Sequence, residues 1–329
     1  MKPFIFFSIF SFLLSTALCA DHGVPGCGVA EVDRDTAEWV NALLNSQDSR
    51  LAPPKPRRGP SRKGPAETAP APGGRLDLPS GGGGTAQEGG EERVFQEIEV
   101  AFHVVTGGEE GKMGEEVVTA LLGNLNWAYR ETPFRFRLRS VDFTDNPAWF
   151  EQCALGTETE AAMKESLAVE PDHVLNIYSC RPVGGKVPPG TVGIGSFPWK
   201  DVDKPWLHGV VIDPSALPTG HSQPGRQRGL TVAHEVGHYL GLIHTFQGGC
   251  LDRDDVADTP AQSGPTMKCV VKIDSCPEQP GMDDVQNIMN YTDDDCMAHF
   301  TPGQIDRMVK AVREFRPGLG AQTVAQATP

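Results

Sequence analysis

The chain has 329 residues, of which 43 are Asp or Glu and 29 Lys or Arg, giving a formal charge of −14 at pH 7. That balance argues against nucleic acid or an anionic membrane surface as a partner, and no apolar run after the N-terminus approaches membrane-spanning length. Eight cysteines accompany an export-type N-terminus, which favours an oxidising destination and disulfides.

In chain order, residues 1–20 read as a signal peptide. Lys2 is followed by an apolar run from Phe4 to Leu18, with small residues at Ala17, Cys19 and Ala20. The mature protein is therefore expected to be secreted and extracellular. Residues 21–90 read as a pro-segment. It opens with a short helix at 31–45, carrying Val32, Trp39, Val40, Leu43 and Leu44 on one side. It continues from Leu51 to Gly90 as a linker rich in Pro, Gly, Ala and Ser, too poor in apolar side chains to offset its ordering entropy. Lys55, Arg57, Arg58, Arg62 and Lys63 in that linker form either a solvated spacer or an accessible site of proteolytic maturation.

Ordered patterning resumes near Glu91, and residues 91–318 are expected to form the catalytic domain, with 319–329 as a flexible tail. Ile98, Val100, Phe102 and Val104 alternate as in a half-buried strand, and Val117 to Leu125 repeat at helical spacing. Phe134, Phe136 and Leu138 alternate with Arg135, Arg137 and Arg139, a strand with one wet face. A helix at 157–168, a strand at 173–178 and short strands at 191–197 and 208–213 follow. The last element is a helix opening at Thr301-Pro302, where a capping hydroxyl precedes proline at the first helical position. Helices alternating with strands imply an α/β (α+β) layer with a mixed sheet.

The chemistry sits in Thr231-Val-Ala-His234-Glu235-Val-Gly-His238-Tyr-Leu-Gly241-Leu-Ile-His244. His234 and His238 are four apart, so a helix projects both imidazoles from one face. Gly241 can take a positive φ, end the helix and bring His244 to the same point. Three imidazoles suit zinc and leave one coordination position for water, as a catalytic site requires. Glu235 lies beside the first ligand, placed to take a proton from that water during peptide hydrolysis. Protein or peptide substrates follow from this reading.

The extended motif resembles the metzincin zinc peptidases, and Asn287-Ile-Met289-Asn-Tyr291 resembles their methionine turn. In that comparison Met289 supplies the floor beneath the zinc, and Tyr291 helps stabilise the tetrahedral intermediate. His244 through Cys250, Asp255-Val-Ala-Asp258-Thr-Pro260, and Asn287 through Cys296 to Phe300-Thr-Pro-Gly-Gln304 together resemble the pappalysin family, above all its small secreted fungal and microbial members. The resemblance implies a metzincin-like domain: a twisted mixed sheet and zinc helix above, an irregular, disulfide-stapled part below, and a cleft taking an extended peptide along an edge strand at 191–197. It favours Cys250–Cys276 and Cys269–Cys296 among the three connectivities four cysteines allow, and it implies structural calcium. Cys153 and Cys180 make the natural third pair.

Cys27 is then left over and stands beside Gly28 in the pro-segment. One reading has its thiolate occupying the zinc's water position in a latent zymogen; another has an intermolecular disulfide or an idle thiol. Asp252, Asp254, Asp255 and Asp258, then Asp293 to Asp295, offer oxygens for calcium or a solvated acidic surface. The second group follows the methionine turn, where the metzincin resemblance implies the wall of the pocket for the residue after the scissile bond, and so suggests acceptance of Arg or Lys there. The rival readings are a zinc-binding protein without catalysis, a structural domain whose histidines satisfy core hydrogen bonds, and another class of zinc hydrolase. A monomer is expected.

Overall fold

The computed structural model describes residues 34–45, 94–185, 187–219, 227–251, 254–270 and 272–324. The expectations for the signal peptide, the linker and Cys27 lie outside these residues. Among the described residues, no helix is long and apolar enough to cross a membrane.

The helices are α1 (Arg34–Asn45), α2 (Glu115–Ala128), α3 (Pro147–Glu151), α4 (Glu158–Leu167), α5 (Leu230–Tyr239) and α6 (Pro302–Phe315). The strands are β1 (Val94–Thr106), β2 (Phe134–Asp145), β3 (Val174–Ser179), β4 (Gly193–Gly195), β5 (Val210–Ile212) and β6 (Ala321–Val324). The sheet runs β2-β1-β3-β5-β4, and β6 pairs with the start of β1. The pairs β1–β2, β1–β3 and β3–β5 are parallel, whereas β4 closes the sheet antiparallel to β5. Parallel strands need helical crossovers, which α2 and α4 supply. This is the mixed α/β architecture expected.

Ile98, Val100, Phe102 and Val104 of β1 face α2 and α5 in the main core. The other side of this strand is not wet, contrary to the half-buried reading: Ala101, His103 and Val105 are also fully buried. The reason is position, since β1 is central and helices cover both of its faces. His103 is accommodated by polar partners, Asp142 Oδ2 at 2.6 Å and Asn176 Oδ1 at 3.0 Å. On edge strand β2 the alternation holds, with Phe134 and Phe136 inside. Outside, Arg137 pairs with Glu97 at 2.8 Å and Arg139 with Glu99 at 2.9 Å.

The structure adds two elements to the sequence reading. Asn146 caps α3 by accepting from the Trp149 amide, with Pro147 at the first helical position. Residues 321–324, expected in a flexible tail, instead pair antiparallel with Val94 to Glu97. At α6 the foreseen cap is a full capping box: the Thr301 hydroxyl accepts from the Gln304 amide, and Gln304 Oε1 accepts from the Thr301 amide.

Below α5, residues 240–301 contain no helix or strand among those described, and disulfides Cys250–Cys276 and Cys269–Cys296 bridge them. Cys153–Cys180 ties the end of α3 to the end of β3. All three pairings agree with those expected. Chain poor in regular structure gains most from such cross-links.

Strand β4 lies against α5 because two of its three residues lack a side chain. A Cβ on Gly195 would stand 2.2 Å from the Glu235 carbonyl oxygen and 2.9 Å from His238 Cβ. Gly195→Ala should therefore destabilise the protein by about 2 kcal/mol or more, since neither neighbour is a flexible tip. Gly123→Ala, in the exposed face of α2 with nothing within 4 Å of the added carbon, should be neutral or stabilising by about 0.5–1 kcal/mol. Urea unfolding of the two variants checks the contrast, and equal effects would contradict the packing account.

Candidate metal centre and active site

All ten residues of α5 are buried, with the sheet on one side and the lower region on the other. At its start, Asp294 Oδ2 accepts from the amides of Arg228 at 2.9 Å and Leu230 at 3.3 Å, placing negative charge where the helix dipole is positive. At its end, Gly241 has φ +102°. The Gly241 amide donates to His238 O at 3.0 Å, and the Leu242 amide to Gly237 O at 2.9 Å. This is the Schellman arrangement, in which a left-handed residue satisfies the last helical carbonyls and reverses the chain. Two buried arginines of the α6 region fix the reversal: Arg307 Nε donates to Gly241 O at 3.0 Å and Arg316 Nε to Tyr239 O at 3.1 Å.

The reversal carries His244 to the other two histidines. His238 Nε2 lies 3.1 Å from His234 Nε2 and 3.2 Å from His244 Nε2. Each Nδ1 has an acceptor of its own: Ile288 O at 2.7 Å for His234, Leu242 O at 2.8 Å for His238 and Gln247 Oε1 at 3.3 Å for His244. An Nδ1 that donates leaves Nε2 with its lone pair, so three lone pairs face one point. Nitrogens bound to zinc at about 2.0–2.1 Å in a tetrahedron stand about 3.3 Å apart, which matches these spacings. Burial, and then the neighbouring imidazoles, push His238 and His244 well below the usual histidine range, toward the neutral form that a metal needs. The donor set therefore fits zinc. Among the described residues, these histidines are the one group of three or more His, Cys, Asp or Glu able to share an ion.

Met289 is fully buried below the helix, and a Cβ on Gly237 would meet its sulfur at 2.4 Å. Asn287 shapes this turn by accepting from the Met289 amide at 2.9 Å. The Tyr291 hydroxyl lies 3.1 Å from His244 Nε2. Phe246 stacks on the His244 ring at 4.8 Å, and Phe197 meets His238 edge-on at 5.3 Å. Glu235 has no exposed surface, and its Oε1 would be 2.7 Å from a Cβ on Gly193 of β4.

The acidic residues do not gather into one site. Asp258 accepts from the Thr301 hydroxyl at 2.7 Å and the Gly303 amide at 2.9 Å, and Asp294 serves α5. Asp293 and Asp295 are exposed, and Asp252 lies outside the described residues. Asp254 is buried, and burial pushes its carboxyl up to about 7 against the pull of Thr259 and the Val256 amide.

Comparison with known proteins agrees with this geometry. Residues 217–313 match the family model described as Pregnancy-associated plasma protein-A. An extracellular metalloprotease of Trichophyton verrucosum is 37% identical over 225 residues, covering 67% of this chain and 79% of the relative. One from Colletotrichum graminicola is 38% identical over 224 residues, covering 65% and 75%. The chain belongs to the pappalysin family. Among solved structures, Tannerella forsythia mature mirolysin in complex with a cleaved peptide is similar, with a TM-score of 0.57, 25% identity, and coverage of 68% of this chain and 96% of that one. A promirolysin mutant of the same organism gives 0.58, again at 25% identity, covering 68% and 84%. This pappalysin is a zinc metalloendopeptidase, with the metzincin-like fold its motifs implied.

Several supporting groups escaped the sequence reading. Gln247 stands three residues after His244, a spacing that could have suggested its role. The carbonyls of Ile288 and Leu242 carry no residue signature at all. Phe197 fell within the expected strand at 191–197, and Arg307 and Arg316 belonged to no motif.

Proposed function

We propose that this pappalysin is secreted as a latent precursor and cleaves internal peptide bonds, with His234, His238 and His244 holding zinc and Glu235 acting as general base. The observation that carries this reading is the convergence of three Nε2 atoms beside a carboxylate on the same helix. Bound zinc supplies Lewis acidity that polarises the peptide carbonyl and makes water nucleophilic at neutral pH. Glu235 takes the proton released by the attacking water and delivers it to the departing amine. The Tyr291 hydroxyl donates a hydrogen bond to the oxygen on which negative charge develops. β4 is the edge strand of the sheet and lies along α5, so a substrate in extended form can pair with its free side. Exposed Asp293 and Asp295, after the methionine turn, favour a basic side chain following the scissile bond.

Latency is assigned to Cys27, whose thiolate is a strong zinc ligand and which the three disulfides leave over. The signal peptide at 1–20 and the names of the extracellular relatives support secretion. The alternative, a zinc-binding protein without catalysis, is disfavoured by the retained Glu235.

Glu235→Ala should lower kcat on a protein substrate by about 10²–10⁴-fold with zinc content unchanged. Cys27→Ala should give activity without the lag of the precursor. Retention of full activity by Glu235→Ala, or unchanged latency in Cys27→Ala, would contradict the respective assignment.

Structural calcium is proposed as the resemblance implies, with no ligand assigned, since the acidic residues form no group of three or more among the described residues. The Asp254 carboxyl is raised to about 7 by burial, so its ionisation costs stability as pH rises from the unfolded value near 4 through 7. Tm should therefore fall between pH 5 and pH 8 less steeply in Asp254→Asn than in the parent protein; equal slopes would refute this.

A further inference from the structure

Helix α1 belongs to the segment expected to be discarded on maturation, yet it packs as part of the core. Val40 has no exposed surface and Leu44 only 8%, while Glu38 and Ala42 point to solvent. These apolar residues share a cluster with Phe197, Trp199, Ile243 and Ala311, from segments more than 150 residues further along the chain. The rings connect one to the next. Trp39 lies 6.1 Å from Phe315, Phe315 6.0 Å from Trp199, Trp199 4.8 Å from Phe197, and Phe197 5.3 Å from the ring of His238. α1 thus covers the back of the wall that supports a metal-site histidine. It approaches from the α6 side, where Asn41 and Leu44 share a cleft with Arg307 and Lys310.

We infer that α1 is a docked strut of the catalytic domain, held by its own apolar face, so that a cut between residues 46 and 93 leaves it bound as a second, non-covalent chain. Three observations favour retention over release. The seam has an apolar centre, with Val40 and Leu44 buried among Phe197, Trp199, Ile243 and Ala311, and such burial is the main force of association. Release would bare Trp199 and Phe315, both large and next to one another, as a hydrophobic patch behind the metal site. The contact is also built from residues other than the metal ligands, and its chain of rings reaches His238 through Phe197. The inference stands whether or not the chain cleaves peptides.

The test uses the zinc-loaded full chain carrying Glu235→Ala, to silence self-digestion, with a site-specific protease sequence in place of residues 55–63. After cutting, both fragments should migrate together on size exclusion and in native mass spectrometry, and separate only in denaturant. Adding Val40→Asp and Leu44→Asp should release the N-terminal fragment and lower the Tm of the cut protein by roughly 5 °C or more. Adding Cys27→Ser instead should leave co-migration intact. Separation of the fragments in the unsubstituted seam would overturn the inference. So would continued co-migration with both aspartates present, or release caused by Cys27→Ser alone.

Discussion

One hydrogen bond from each imidazole Nδ1 holds the site together. A histidine can present either nitrogen, and its ring can rotate, so three of them converge only when each is fixed from behind. Here two of the three fixings are backbone carbonyls, Ile288 O and Leu242 O, which no side-chain change can remove. Leu242 is available because Gly241 turns the chain, and Ile288 because the turn at Asn287 to Met289 passes directly below the helix. The donor geometry is thus an outcome of main-chain course, and the metal-binding character follows from it.

That course demands close approaches, and glycine permits them on two sides. Gly195 and Gly193 let β4 lie on Glu235 and His238, and Gly237 lets Met289 rise against the underside of α5. The helix is enclosed by strand, methionine floor and sheet core, so its carboxylate and imidazoles are buried. Burial strengthens electrostatic effects around them and pushes His238 and His244 toward the neutral form. Arg307 and Arg316 then anchor the helix end against α6, linking the site to an element sixty residues away in sequence. The disulfides below complete the support where regular structure is lacking.

The ligand spacing, the glycine bend and the methionine turn were legible in the sequence because each depends on local geometry. Four residues between imidazoles on a helix is a property of the helix itself, and a positive φ selects glycine wherever it occurs. Strand β1 was misread on one side because alternation with Glu97, Glu99 and His103 looks polar, while its C-terminal half is enclosed by helices on both faces. Strand β6 carried no pattern of its own and exists through main-chain pairing with β1. Asp294 looked like surface charge, and only the fold brings it to the first amides of α5. What stayed hidden was set by partners distant in sequence.

The central claim is the proposal that three imidazoles, and no other side chain, would grip the metal once the pro-segment is removed. X-ray absorption at the zinc edge tests it directly. The account predicts one zinc per chain with three nitrogen neighbours at about 2.0–2.1 Å, one further light ligand and no sulfur. A sulfur neighbour in the processed enzyme, or a zinc with fewer than three imidazoles around it, would contradict the account.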